Sequence, residues 1–299
     1  MDRFRAMSAF VAVVEAGGFT PAARHLAMPL ATLSRLVSRL EDRLRLRLLN
    51  RTTRRVTLTD SGQQYFEACR RILGDLGEAE RAASGEYRTP RGELIVTAPI
   101  VFGRLHVVPI ITEFIKTYAQ VDVRLVQADR IVNLLEEHVD LAVRIGELPD
   151  STMVATRIGS IGHVVCASPA YLAERGGPEH PKELMAHDCV TFAGLVSAKE
   201  WPFRIGKSTR MFPVRSRIVV TTAEAAIDAA IAGAGLTRVL SYQVAQAIGD
   251  GRLALVLRGF EPEPSPVSLV YPSGRLVPLK LRAFLDFAAP RLKARLQSL

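Results

Sequence analysis

Three guanidinium groups crowd the stretch LLNRTTRRVTLTDSG (residues 48–62): Arg51, Arg54 and Arg55, followed by the strict alternation Val56, Thr57, Leu58, Thr59. Just upstream, Thr32, Ser34, Arg35, Ser38 and Arg39 set hydroxyl and guanidinium groups on one short segment. Guanidinium forks make paired contacts to phosphate or to the guanine edge. Residues 1–60 hold eleven arginines against five acidic residues, a net charge of +6, and no lysine precedes Lys116. Clustered cations gain affinity for a polyanion by releasing its counterions, which points to nucleic acid. A solvated basic surface is the other reading, and it would ordinarily mix lysine with arginine.

Other chemistry finds little support. The six histidines (25, 106, 138, 163, 180 and 187) form neither HExxH nor H-x-H, so no metal site is expected. Cys69, Cys166 and Cys189 are far apart and read as buried thiols, and Cys166 with His163 lacks a third member for nucleophilic catalysis. GAG at 233–235 follows a helix instead of a strand and reads as a helix end, so no cofactor is implied. The apolar runs are short and broken by charge, with no signal-peptide core, which predicts a cytoplasmic protein with no membrane partner. At 299 residues, 48% of them hydrophobic, the chain is long enough for two or three compact units.

The elements that carry the basic residues follow from spacing. Phe4, Met7, Phe10, Val11 and Val14 predict a helix that stops at Gly17 and Gly18. Thr20 as N-cap with Pro21 at the first helical position predicts a second helix, ended near Met28 and Pro29. A third, over residues 30–43, buries Leu33, Leu36, Val37 and Leu40 and leaves its Thr, Ser and Arg residues off that stripe. Two short helices and a tight turn have the form of a helix-turn-helix with its recognition helix. From Thr59, as N-cap, a long helix is expected. Its apolar positions Tyr65, Cys69, Ile72, Leu76, Ala79 and Ala83 alternate in steps of four and three, either a dimer seam or a helix packed on its own domain.

The segment GGFTPAARHLAMPLATLSRLVSRLEDRLRLRLLNRTTRRVTLTDSG resembles the winged helix-turn-helix of the LysR-type transcriptional regulators, many positions matching at defined spacing. The resemblance implies that Ser34 and Arg35 reach base edges or phosphates, flanked by Thr32 and Arg39. Thr20, Pro21, Ser38, Arg51 and Arg55 are placed in the same DNA-binding set. The alternating strand would pack Leu49, Val56 and Leu58 inward and project Arg54 toward a minor groove. Where the family often has a polar residue at the start of the recognition helix, this chain has Pro29 and Leu30; Leu30 would meet a thymine methyl or pack.

Beyond a hinge at 84–92, strands at 92–98, 121–128 and 140–146 alternate with helices at 107–118 and 131–139, a parallel α/β unit. A second set has strands at 161–167, 189–192, 218–222 and 236–240 and helices at 169–175, 224–232 and 242–248. A strand at 267–271 and a helix at 278–296 are expected to return to the first lobe. The fold class is therefore a multidomain one: an all-α winged helix-turn-helix (1–59), a linker and dimerisation helix with hinge (60–91), and a two-lobed α/β effector domain of periplasmic-binding-protein type. That domain spans 92–299, with lobe I about 92–161 and 266–299 and lobe II about 162–265. The resemblance extends over it through TAPIVFGRLHVVP, DLAVRIGEL, CASPAYLA and GLTRVLSYQV.

Ligands of such folds sit at the carboxyl ends of strands. Candidate effector contacts are Ala98, Pro99, Ile100, Val101 and Phe102, with Thr221 and Thr222, Arg144, Trp201 and Arg238. Arg144 would hold a carboxylate or pair with Asp140 or Glu147, and Thr222 would contact the effector or only cap its helix. The expected function is a sequence-specific regulator, not an enzyme, binding double-stranded DNA at an inverted repeat as a dimer or tetramer and sensing a small molecule. The alternatives are a non-specific basic architectural protein, or a solute-binding protein or enzyme of the same lobed fold.

Overall fold

In the computed structural model the described residues are 2–51, 56–83, 89–149, 152–192, 199–273 and 277–297, without the side chains of Arg51, Asp75, Glu78, Ala79 and residues 81–83. They fall into two compact units, Met1–Arg88 and Thr89–Leu299.

The first unit opens with α1 (Arg3–Glu15), whose N-cap Asp2 accepts the Phe4 amide at 3.0 Å. The helix ends before Gly17, whose φ of +69° is cheap only for glycine. In α2 (Phe19–His25) Thr20 and Pro21 lie inside the helix, correcting the expected cap. The helix begins two residues earlier, at Phe19, which packs on the core. Leu33, Val37 and Leu40 of α3 (Leu30–Leu44) are buried, and Leu36 half-buried. A hairpin of β1 (Leu49–Arg51) and β2 (Val56–Leu58), with Leu49 opposite Leu58, leads to α4 (Asp60–Ala83). Val56 and Leu58 pack on the core and Thr57 is exposed, as the alternation requires.

The expected seam on α4 divides. Cys69 is fully buried in its own unit, and the Tyr65 ring lies 5.9 Å from Phe10 of α1, so these two positions are satisfied within the chain and are corrected as dimer contacts. Burial pushes the Cys69 thiol up to about 11. Ile72, 42% exposed, and half-buried Leu76 remain free of that core, while the side chains of Ala79 and Ala83 lie outside the described residues.

One junction ties these elements together. The Glu41 carboxylate at the end of α3 accepts the amides of Leu48 (2.9 Å) and Leu49 (3.1 Å). The Leu48 carbonyl accepts the Thr59 amide at 3.0 Å. The Thr59 hydroxyl donates to the Arg47 carbonyl at 2.7 Å and caps α4 by accepting the Gly62 amide at 2.9 Å. Gly62 is required by this approach, because a Cβ there would stand 2.0 Å from the Leu48 carbonyl oxygen.

The second unit holds two mixed five-stranded sheets. In lobe I, β3 (Gly92–Ala98), β4 (Val121–Gln127) and β5 (Leu141–Ile145) run parallel in the order β4-β3-β5. Between the first two strands run α5 (Ile100–Phe102), a π-helical turn (Gly103–Val107) and α6 (Val108–Thr117), so helix begins well ahead of the expected 107. The expected helix at 131–139 is absent and is corrected to bends and a single turn. Asn133 caps that turn through its carboxamide oxygen, and His138 closes it at φ +52°. The segment buries Val132, Leu134 and Val139, a spacing that one helix face cannot supply.

The chain then makes β6 (Met153–Ile161), which the sequence reading missed, and crosses to β7 (His163–Ala167) through Gly162 alone. Lobe II adds α7 (Pro169–Arg175), a 3-10 helix (Pro181–Ala186), β8 (Asp188–Phe192), the missed hairpin of β9 (Glu200–Ile205) and β10 (Ser208–Pro213), and β11 (Arg215–Val220). Next come α8 (Ala223–Ile231), β12 (Leu236–Leu240), α9 (Ser241–Gly249), β13 (Ala254–Val256) and a 3-10 turn (Arg258–Phe260). Its sheet order is β11-β8-β12-β7-β13. The chain returns to lobe I in β14 (Ser265–Pro272), antiparallel to both β5 and β6, and ends in α10 (Leu279–Gln297). The return is locked by Lys280, which donates to the Glu93 carbonyl at 2.6 Å beside Asp140, whose carboxylate accepts the Ile95 amide at 2.7 Å.

Replacing Gly62 with Ala forces α4 away from Leu48. Thermal or urea unfolding should show the first unit destabilised by about 1–3 kcal/mol despite the better helix propensity of alanine; unchanged stability would show that the junction yields freely.

Candidate DNA-contact face and effector cleft

On α3 the buried residues Leu33, Val37 and Leu40 face the core. The opposite side carries exposed Ala31, Arg35 and Arg39, four residues apart, with half-buried Thr32, Ser34 and Ser38 along its flanks. Leu30, 47% exposed, begins the helix with no side-chain cap ahead of it. Thr20 and Pro21 of α2 are exposed, as is Arg24, which the sequence reading did not single out. The groove between the end of α3 and the hairpin is lined by Ser38, Glu41, Arg45, Arg47 and Asn50, so its arginines extend the basic face past the helix. Arg51 begins the wing turn from β1, and Arg54 and Arg55 lie outside the described residues.

The second unit treats its predicted residues unequally. Ala98 ends β3, Pro99 leads into α5, and Ile100, Val101 and Phe102 form that turn, with Val101 and Phe102 buried. The Ile100 amide is not free for a ligand, since it donates to Asp129 Oδ1 at 3.0 Å. Arg144 donates to the Val132 carbonyl, so it holds the 130–139 segment. Trp201 is corrected from cleft to core: it is 5% exposed and packs with Phe203 in lobe II. Thr222 caps α8 by accepting the Ala225 amide at 3.3 Å, and Thr221 is exposed.

Arg238 is half-buried and has no ion pair among the described residues. Burial pushes its guanidinium down to about 10. His163, diagonal to it across the β7–β12 pairing, is pushed down to about 3 by burial and then by the Arg238 charge.

The lobes meet through rings. Phe102 and His106 of lobe I pack against Tyr242 of α9, with centroids 5.7 and 5.4 Å from the phenol. His106 Nε2, Asp129 Oδ2, Glu224 Oε2 and Tyr242 Oη are buried and have no hydrogen-bond partner among the described residues. The sequence reading missed all four residues. Glu224 reads as an acid suited to the start of a helix, and Asp129 as part of a turn, so only the meeting of the lobes sets them apart.

Both parts of the chain match family models. Residues 4–63 match the bacterial regulatory helix-turn-helix protein, lysR family, and residues 88–293 match the LysR substrate binding domain. The chain belongs to the LysR family. It is a LysR-type transcriptional regulator with a substrate-binding domain, the first half of the family architecture binding DNA and the second taking a small-molecule effector.

Among relatives of this LysR-type chain, an HTH-type transcriptional regulator of Xanthomonas campestris is 37% identical over 287 residues, covering 95% of this chain and 83% of that one. An HTH-type transcriptional repressor of Pseudomonas aeruginosa is 35% identical, covering 96% of this chain and 91% of that one. The structure of CrgA, a LysR-type transcriptional regulator from Neisseria meningitidis, superposes with a TM-score of 0.62 at 33% identity, covering 96% of this chain and 98% of that one. Within this LysR-type fold no single helix among the described residues is long and apolar enough to cross a membrane.

Because the folded value of His163 lies below its unfolded value of 6.5, the unfolded chain takes up a proton that the folded lobe refuses as pH falls from about 6.5 toward 3. Stability should therefore drop over that range by up to about 1.4 kcal/mol per pH unit from this group. Equilibrium unfolding of His163→Gln should show a shallower slope between about pH 6 and 4; an identical slope would remove His163 as the cause.

Proposed function

We propose that this regulator binds an inverted-repeat promoter site on double-stranded DNA as a dimer that pairs into a tetramer, each copy placing α3 in a major groove. The exposed face of α3 carries this reading, with Arg35 and Arg39 opposite the buried Leu33, Val37 and Leu40. Arg35, with Thr32, Ser34 and Ser38 beside it, is assigned to base edges, Leu30 to a thymine methyl, and Thr20, Arg39 and Arg51 to phosphates, with Pro21 in van der Waals contact beside Thr20. The wing arginines Arg54 and Arg55 are assigned to the adjacent minor groove. Copies meet through the part of α4 beyond Cys69, where Ile72 is exposed.

The small-molecule site is assigned to the cleft between the lobes, bordered by the 98–102 segment and Thr221. Closing the cleft changes the arrangement of the paired copies and so the bend of the DNA. The chain acts by binding alone and is no enzyme, and it works in the cytoplasm, where the DNA is. Genomic DNA fragments selected by the full-length protein provide the specific site. On that site Arg35→Ala should weaken binding by about 1–3 kcal/mol, and on random duplex much less. Equal losses on both would remove Arg35 from base readout and favour a basic architectural protein.

A further inference from the structure

Burial of a carboxyl oxygen without a donor is costly, because nothing replaces the water it loses. Asp129 and Glu224 each keep one carboxylate oxygen in that state, and the Tyr242 hydroxyl beside them is likewise unpartnered although the residue is only 4% exposed. The three come from two lobes, Asp129 from lobe I and Glu224 and Tyr242 from lobe II. Asp129 follows β4 and holds the first turn of α5, from which Phe102 reaches the Tyr242 ring. Glu224 lies in the first turn of α8, and Tyr242 begins α9.

Burial and then the charges of Asp129 and Glu224 raise the Tyr242 phenol, offset in part by the Gln243 carboxamide, whose oxygen is occupied by the Leu240 amide at 2.9 Å. The cations nearby serve elsewhere. Arg295, whose charge together with burial lowers His106, donates to the Leu105 carbonyl at 3.4 Å. Arg238 lies on the sheet face of Val165, which packs with the Trp201 cluster.

The site therefore has two acidic acceptors and a phenol, walled by the Phe102 and Tyr242 rings, and wants donors and positive charge. We propose that the cleft of this regulator takes an organic amine, its ammonium group held between Asp129 of lobe I and Glu224 and Tyr242 of lobe II. An ammonium has three donors, one for each of these oxygens, and is favoured further by aromatic faces. Because its acceptors belong to both lobes, such a ligand binds the closed arrangement better than the open one and shifts the population toward it. The proposal rests on the reading of the cleft as the effector site.

Calorimetric titration of the full-length protein with benzylamine, and with benzoate as the anion of similar size, tests it. Benzylamine should bind in preference to benzoate. Asp129→Asn and Glu224→Gln should each weaken it by about tenfold or more, the range for a lost charge-assisted contact. Asp228→Asn, an exposed acid on the same helix, should leave it unchanged. Unliganded Asp129→Asn and Glu224→Gln should melt no lower than the parent, since each replaces a carboxyl group that keeps one buried oxygen without a donor, so weaker binding would not reflect unfolding. Preference for benzoate, binding of neither at millimolar concentration, or equal benzylamine affinity in the double variant would overturn the proposal. Benzoate binding that alters affinity for the promoter site would overturn the amine class while the effector reading stands. Acid-dependent benzylamine binding with no effect on DNA would support the amine site and remove the effector reading instead.

Discussion

The backbone at Leu48 holds the DNA-binding unit together. Its amide is held by the Glu41 carboxylate at the end of the recognition helix, and its carbonyl accepts the Thr59 amide at the start of the long helix. Gly62 allows α4 to approach that same carbonyl. Three elements are thus fixed through one peptide unit, and a groove-reading helix and wing need such fixed mutual geometry, because a displacement of an ångström costs paired contacts. Glu41 is an acid in a basic unit for this reason. It supplies two backbone amides with an acceptor where no strand partner exists.

In the second unit the corresponding constraint is the double crossing between sheets. Gly162 is the single residue between β6 and β7, and its carbonyl accepts the Ser241 amide at 2.9 Å, joining the crossing to the start of α9. Tyr242 follows immediately and carries lobe II into the lobe I aromatic cluster. Glycine is needed for packing elsewhere in the lobe too. A Cβ on Gly235 would stand 2.1 Å from the Asp188 carbonyl, so the GAG segment serves a helix end and a close strand approach.

Legibility differed with the range of the forces. The helices of the first unit and the strands β3, β4, β5 and β12 were readable because each has a strong periodic pattern and a local stop signal. The segment 131–139 misled because its composition favours helix, while what it must bury, and the Arg144 contact to Val132, demand a turn. Strand β6 was overlooked because it is an edge strand with only Ile158 and Ile161 buried, so alternation is weak. Tyr65 and Cys69 fit a seam by spacing, and spacing does not say whether the facing helix belongs to the same chain.

By itself the sequence determined the helix-turn-helix, its basic face and the capping of α4 by Thr59. These depend on periodicity, caps and charge, which act over a few residues. Only the tertiary structure decided that the Ile100 amide belongs to Asp129, that Trp201 is core and Arg144 a brace, and that His106, Asp129, Glu224 and Tyr242 converge between the lobes. Those side chains are separated by up to half the sequence. Their hydrogen-bonding state is set by whatever the other lobe places against them, and no local pattern encodes that.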